Sequence, residues 1–142
     1  MAEPDPEALV AFRELAGEAR AGSLSVALNP TEFSALDAAC VAFKDAIRGV
    51  QVTMQQAGRA GAQWGLGEDN GRLSSAIDLV AKYRELATGD SNSMHAVLEE
   101  HYKVAQEMQT LFQVIRDDYI RTDEEFAAKW REMNTEIESG PR

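Results

Sequence analysis

From Leu36 to Trp64 the apolar and small residues recur in steps of four and three: Leu36, Cys40, Phe43, Ile47, Val50, Met54, Ala57, Gly61, Trp64. This alternation is a heptad seam, and it predicts a long helix that pairs with another helix along a narrow stripe. Asn29 as N-cap, Pro30 at the first helical position and Glu32 closing a capping box mark its start. A second seam runs through Met94, Leu98, His101, Ala105, Met108, Phe112, Ile115, Tyr119 and Thr122, and Phe126, Trp130, Met133 and Ile137 carry the apolar face onward. It predicts one last helix from Ser93 into the tail. Between the two lies a shorter seam, Leu73, Ile77, Val80, Ala87. Ahead of them, Leu9, Phe12, Leu15, Ala16 and Ala19 give residues 6–21 an apolar stripe at helical spacing, with Gly22 as a stop. The stretch "SLSVALNP" then reads as an irregular linker.

No proline interrupts the chain between Pro30 and Pro141, so glycine does the punctuating. "WGLGEDNG" holds Gly65, Gly67 and Gly71, a natural bend, with Asp69 or Asn70 able to cap the helix after it. "TGDSNS" is a second break, with Asp90, Ser91 or Ser93 as the cap. The expected fold is all-α. It is a long antiparallel helical hairpin with its bend at Trp64–Gly67, a short N-terminal helix and an interrupted second arm. The expected partition is 1–28 for the N-terminal helix and linker, 29–138 for the hairpin and 139–142 for a frayed tail. So long and thin a hairpin has seam left over. Leu36, Phe43, Ile47, Val50 and Met54 on the first arm, and Leu98, Met108, Phe112 and Ile115 on the second, are expected to receive a second hairpin and complete a four-helix bundle.

Charge narrows the partners. Acids outnumber bases 24 to 14, a formal net charge of −10, and the bases are scattered. Nucleic acid and anionic membrane surfaces are disfavoured, because both need clustered Lys and Arg. No apolar run reaches membrane-spanning length, and the acidic N-terminus lacks the basic and apolar regions of a cleaved signal peptide. Cys40 is the single cysteine, set among apolar residues, and reads as a small buried hydrophobe.

Candidate chemistry is sparse. His95, Glu99, Glu100 and His101 are of metal-ligand type, but His95 and His101 do not share a helix face and the ligand count is poor. The glycines of "GLGEDNG" follow a helix rather than a strand and precede no Lys-Ser or Lys-Thr, so they do not form a phosphate loop. The acids from Asp117 to Glu125 read as a solvated helix face. No catalytic residue, cofactor or metal is expected, and the chain reads as a protein that acts by binding.

Two details remain. Trp64 stands directly before the glycine bend, and Tyr119 precedes Asp123 by one helical turn late in the second arm. A packed plug and a packed ring beside an exposed carboxylate would explain each alone. Together, two heptad arms, a Trp-Gly bend and "YIRTDEEFAAKW" resemble the WXG-type, ESX secretion-associated proteins of actinobacterial type VII secretion. The resemblance covers residues 29–130. It departs from the family at the bend, where the glycines follow Trp64 by one and three residues rather than two.

The resemblance implies a secretion substrate or export-guiding partner that leaves the cell folded, without a cleaved peptide, and ends secreted or at the cell surface. It implies pairing with a homologous hairpin, identical or different, and recognition by the secretion ATPase. Tyr119, Thr122 and Asp123 would be the C-terminal signal, and Trp64, Gly65 and Gly67 the bend motif. The alternative is a cytoplasmic helical-bundle interaction protein with no export role.

Overall fold

The computed structural model describes residues 6–24 and 26–138. The described residues form five helices and no strand: α1 (Pro6–Arg20), α2 (Pro30–Gly58), α3 (Ser74–Thr88), α4 (Met94–Thr122) and α5 (Glu124–Glu138). The expected frayed tail, 139–142, lies outside the described residues. The chain divides into two compact units. One is Lys44–Lys103; the other joins Pro6–Phe43 to the chain from Val104 onward. Both α2 and α4 contribute to each unit.

Local signals set several helix ends. Asn29 Oδ1 accepts the Glu32 N–H at 2.8 Å, and Glu32 Oε2 accepts the Asn29 N–H at 2.9 Å, a reciprocal capping box. α1 ends where Gly22 takes φ +76°: its N–H reaches the Ala19 carbonyl, and the Ser23 N–H reaches that of Glu18. This Schellman arrangement satisfies carbonyls that the helix end would leave open. Of the three candidate caps before α4, Ser93 does the work, its Oγ accepting the Ala96 N–H at 3.2 Å. Before α3 neither expected residue caps. Leu73 occupies the cap position without a side-chain bond, and Asn70 Oδ1 instead accepts the Arg72 N–H in a tight turn.

Two boundaries differ from the seam reading. α2 stops at Gly58, so Gly61 and Trp64 lie in the 59–73 connection rather than on the helix. A side chain at Gly58 would meet Thr88 at the end of α3, with Oγ1 at 2.0 Å and Cβ at 2.8 Å; α2 ends at a close approach to α3. The last helix also breaks, at Asp123. Its carboxylate accepts the Phe126 N–H at 3.0 Å, so α5 starts afresh with Glu124 and Glu125 in its first turn. An Asp side chain competes with the helical backbone for such a bond, and acids favour the positive end of the new helix.

In the unit that contains α1 and α5, Ala16, Ala19, Phe33, Leu111, Ile115 and Phe126 form the core. Leu24, Val26 and Leu28 of the irregular linker pack against it. α2 and α4 run antiparallel here: Phe33 meets Tyr119, while Asp37 accepts bonds from Gln113 and Gln109, each at 2.9 Å. In the Lys44–Lys103 unit the buried apolar residues are smaller and fewer: Ile47, Val80, Ala87 and Val97, beside buried Gln51 and Ser93. Antiparallel pairing recurs, with Gln51 bonded to Glu99 and Gln55 to His95. The heptad phase assigned to α4 holds only in part. Ala105 and Ile115 are buried, but His101 and Thr122 are exposed, while Val97, Gln109 and Leu111, off that seam, are buried. One seam suits one neighbour, and from Val104 onward α4 packs against α1 as well as α2 in its unit.

Candidate interaction surface

In the unit with α1 and α5, an apolar groove lies between α2 and α4. Leu36, Ala39, Cys40 and Phe43 form one wall and Val104, Ala105, Met108 and Phe112 the other, around about 250 Å³. Cys40 and Ala105 are buried at its base, Leu36, Met108 and Phe112 are half-buried, and Phe43 leaves 55 % of its surface to water. Four of the nine residues expected to meet a partner therefore line one groove. Ile47 and Ile115 are enclosed within the chain; Val50 is exposed, and Met54 and Leu98 are half-buried.

The three residues of the expected bend motif sit in the 59–73 connection, which is tightly held. Glu68 bends back so that its carboxylate accepts the N–H groups of Trp64, Gly65 (3.0 Å) and Leu66 (2.8 Å). Gly65 and Gly67 make the reversal possible with φ of +72° and +96°. Its own backbone N–H, then that of Trp64, stabilises the charged Glu68 and holds its pKa down at about 2; Leu66 and Gly65 add to the effect. The Trp64 indole N–H donates to the Ala57 carbonyl at 3.0 Å, and its ring lies 5.5 Å from that of Tyr83. Arg84 bonds the Ala62 carbonyl. The sequence reading missed Glu68, although an acid directly behind "GLG" is placed to collect the N–H groups of a turn.

Tyr119, Thr122 and Asp123 sit where α4 gives way to α5. Tyr119 stacks on Phe126 at 5.1 Å and meets Phe33 at 5.9 Å, and Phe33 and Phe126 meet edge-on at 5.8 Å. Thr122 is exposed and its hydroxyl donates to the Asp118 carbonyl at 2.7 Å. Asp123 is exposed but its carboxylate is the α5 cap. "TDEEF" carried that signal: a capping residue, two acids, then an apolar residue.

The candidate metal ligands have other partners. His95 shares a 3.1 Å hydrogen bond with Gln55, Glu100 pairs with Lys103 at 3.0 Å, and His101 is exposed. Glu99 accepts from Gln51 at 2.9 Å and pairs with Arg48, whose guanidinium lies 3.6 Å from the Tyr102 ring centre. The Gln51 bond, then Arg48, lowers the Glu99 pKa. Among the described residues no group of three or more His, Cys, Asp or Glu could hold a metal, and no helix is long and apolar enough to cross a membrane. Comparison of the chain with protein-family models, with curated proteins and with solved structures gives no match.

Proposed function

We propose that this chain acts by binding, as a helical partner in a type VII export system, and that its α2–α4 groove receives a helix of a second hairpin protein. The groove carries the reading. Its walls are apolar along both helices, and Phe43 projects from it more than half exposed. Docking a two-helix hairpin with one helix in the groove would give α2 and α4 a four-helix arrangement of the kind that buries such seams. The export part rests on the resemblance: two long helices, Trp64 and Gly65 in the segment after the first, and Tyr119 and Asp123 late in the second. The signal would be the α4–α5 junction itself, its Tyr ring stacked and its carboxylate already engaged.

Co-expression with a candidate hairpin protein, followed by light scattering, tests the groove. The complex should form with the native chain and be lost in Phe43→Glu, which charges the groove from an exposed position. Formation of the same complex by Phe43→Glu would sink the groove reading. Export is tested separately in the native host with Tyr119→Phe and Asp123→Asn, which keep the ring stack and the cap. Failure of either variant to reach the culture filtrate while folded would favour a recognised signal. Normal export of both would reduce the junction to a fold element and leave the groove on its own test.

A further inference from the structure

We infer that α3, together with the Trp64 loop, forms a second docking face, separate from the groove, whose occupant is the same face of another copy of this chain. Leu79 and Leu86 stand one turn to either side of Tyr83 on α3, and the Trp64 ring packs on Tyr83. All four are exposed: Leu79 by 44 %, Leu86 by 48 %, Tyr83 by 37 % and Trp64 by 36 %. At those fractions the four residues leave about 350 Å² to water, most of it apolar, the size of patch that on a monomer is often functional. If two-thirds of the interface is apolar, as in homodimers, that patch corresponds to about 500 Å² per copy and about 1,000 Å² in all, the threshold of a specific but weak dimer.

Two features select a second copy. The first is charge. Arg59, Arg72, Lys82 and Arg84 balance Glu68, Asp69, Asp78 and Glu85, so residues 59–88 are neutral and the rest of the chain holds the whole −10. Two such acidic chains can meet at this neutral segment without net repulsion, and it offers no net charge to recruit an oppositely charged protein. The second is symmetry. Tyr83 lies between two leucines, so an antiparallel crossing of α3 on α3 about Tyr83 sets Leu79 of each copy against Leu86 of the other. A two-fold interface requires that self-complementarity. Rigidity helps: Glu68, the Ala57 carbonyl and Tyr83 already fix Trp64, so little side-chain freedom is left to lose on docking.

Sedimentation velocity of the full chain over a concentration series tests this. For a weak, transient contact between copies, an association step should be visible at about 0.5 mM and absent at about 5 µM. Leu79→Glu and Leu86→Glu, both at exposed positions and checked for helicity by circular dichroism, should each weaken that step tenfold or more. Val10→Glu, the same change at an exposed residue of α1, should leave it alone. Raising salt from about 50 to about 500 mM should shift the constant less than about threefold, since the face has no net charge. A chain that shows no self-association at any concentration overturns the inference, as does an association step that both leucine variants leave intact. A step lost in Phe43→Glu but kept in both leucine variants would place self-association in the groove and overturn it too.

Discussion

Asp123 separates folding from recognition, because its two neutral substitutions differ in one respect. Its carboxylate accepts the Phe126 N–H at 3.0 Å, and its backbone N–H and carbonyl link Tyr119 to Ala127 across the junction. Ala removes the cap. Loss of an Asp cap costs about 1 kcal/mol, and losing a negative charge at a helix N-terminus adds about 0.3–1 kcal/mol. Asn keeps the cap and loses only the charge. Asp123→Ala should therefore cost about 1.5 kcal/mol, and Asp123→Asn about 0.5 kcal/mol. The cost registers globally because α5 supplies buried Phe126 and Ala127 to its unit. Urea unfolding followed by far-ultraviolet circular dichroism reads it directly. With an m-value of about 1.5 kcal/mol/M, the Ala variant's midpoint falls by about 1 M and the Asn variant's by about 0.3 M. Equal midpoints for the two variants, or an Ala variant as stable as the native chain, would show that the cap contributes nothing. The export assay then uses Asn, since an Ala defect would confound a weakened junction with a missing signal.

Gly58→Ala sets helix propensity against a close approach. Ala favours a helix by about 1 kcal/mol over Gly, but its methyl would fall 2.8 Å from the Thr88 Cβ, which no rotation of that side chain can move away. Overpacking of this kind costs about 1–3 kcal/mol, so a net loss of stability is expected in thermal unfolding; a raised Tm would mean that the contact yields freely. Glu68 gives a pH signature in the Trp64 loop. Its folded pKa of about 2 lies below the ordinary value of 4.5, so its stabilisation is complete above pH 4.5 and is lost as pH falls towards 2. Trp64 emission in a Trp130→Phe chain should report the loop opening across that window, and Glu68→Gln should abolish the transition; a transition unchanged in the Gln variant would assign it to another group.

What the sequence made legible was local. The capping box of Asn29 and Glu32, the Gly22 stop and the apolar stripe of α1 involve neighbours within a turn or two, and each appears as expected. What it concealed depends on contacts distant in the chain. The first seam kept its phase through Gly58 to Gly61 and Trp64, so counting apolar steps could not detect that Thr88 closes in on Gly58. The second seam also carried its phase past Asp123, where the interruption is local: the Asp123 carboxylate takes the Phe126 N–H, a cap that a count of apolar steps does not register. Leu111 fell off the seam yet is core, because α1 and α5 give its unit more than one buried direction; His101, in the other unit, fell on the seam by arithmetic yet is exposed. Gln51 and Gln109, both buried, are invisible to any count of apolar positions.

Those glutamines resolve an ambiguity that the heptads leave open. A seam that repeats every seven residues fits its partner almost equally well after a slip of seven, since the apolar steps superpose. Small side chains such as Cys40, Ala57 and Ala105 do little to resist it. Polar pairs do not superpose. Gln51 is buried and bonds Glu99, which also holds Arg48. A slip by one heptad along α4 would bring Asn92 or Gln106 to that place, and neither has a carboxylate for Arg48. In the other unit, Asp37 receives two amide donors, from Gln109 and Gln113. The same slip would offer it Tyr102 and Gln106, or Arg116 and Ile120, so one amide donor or both would be lost. The first slip leaves Arg48 without its carboxylate, and the second replaces a matched pair of amide donors with side chains of other length and geometry; a group left unpaired where it is buried costs about 1–3 kcal/mol. Unit by unit, α2 and α4 are thus held in one register by hydrogen bonds, while the apolar positions supply adhesion without choosing it.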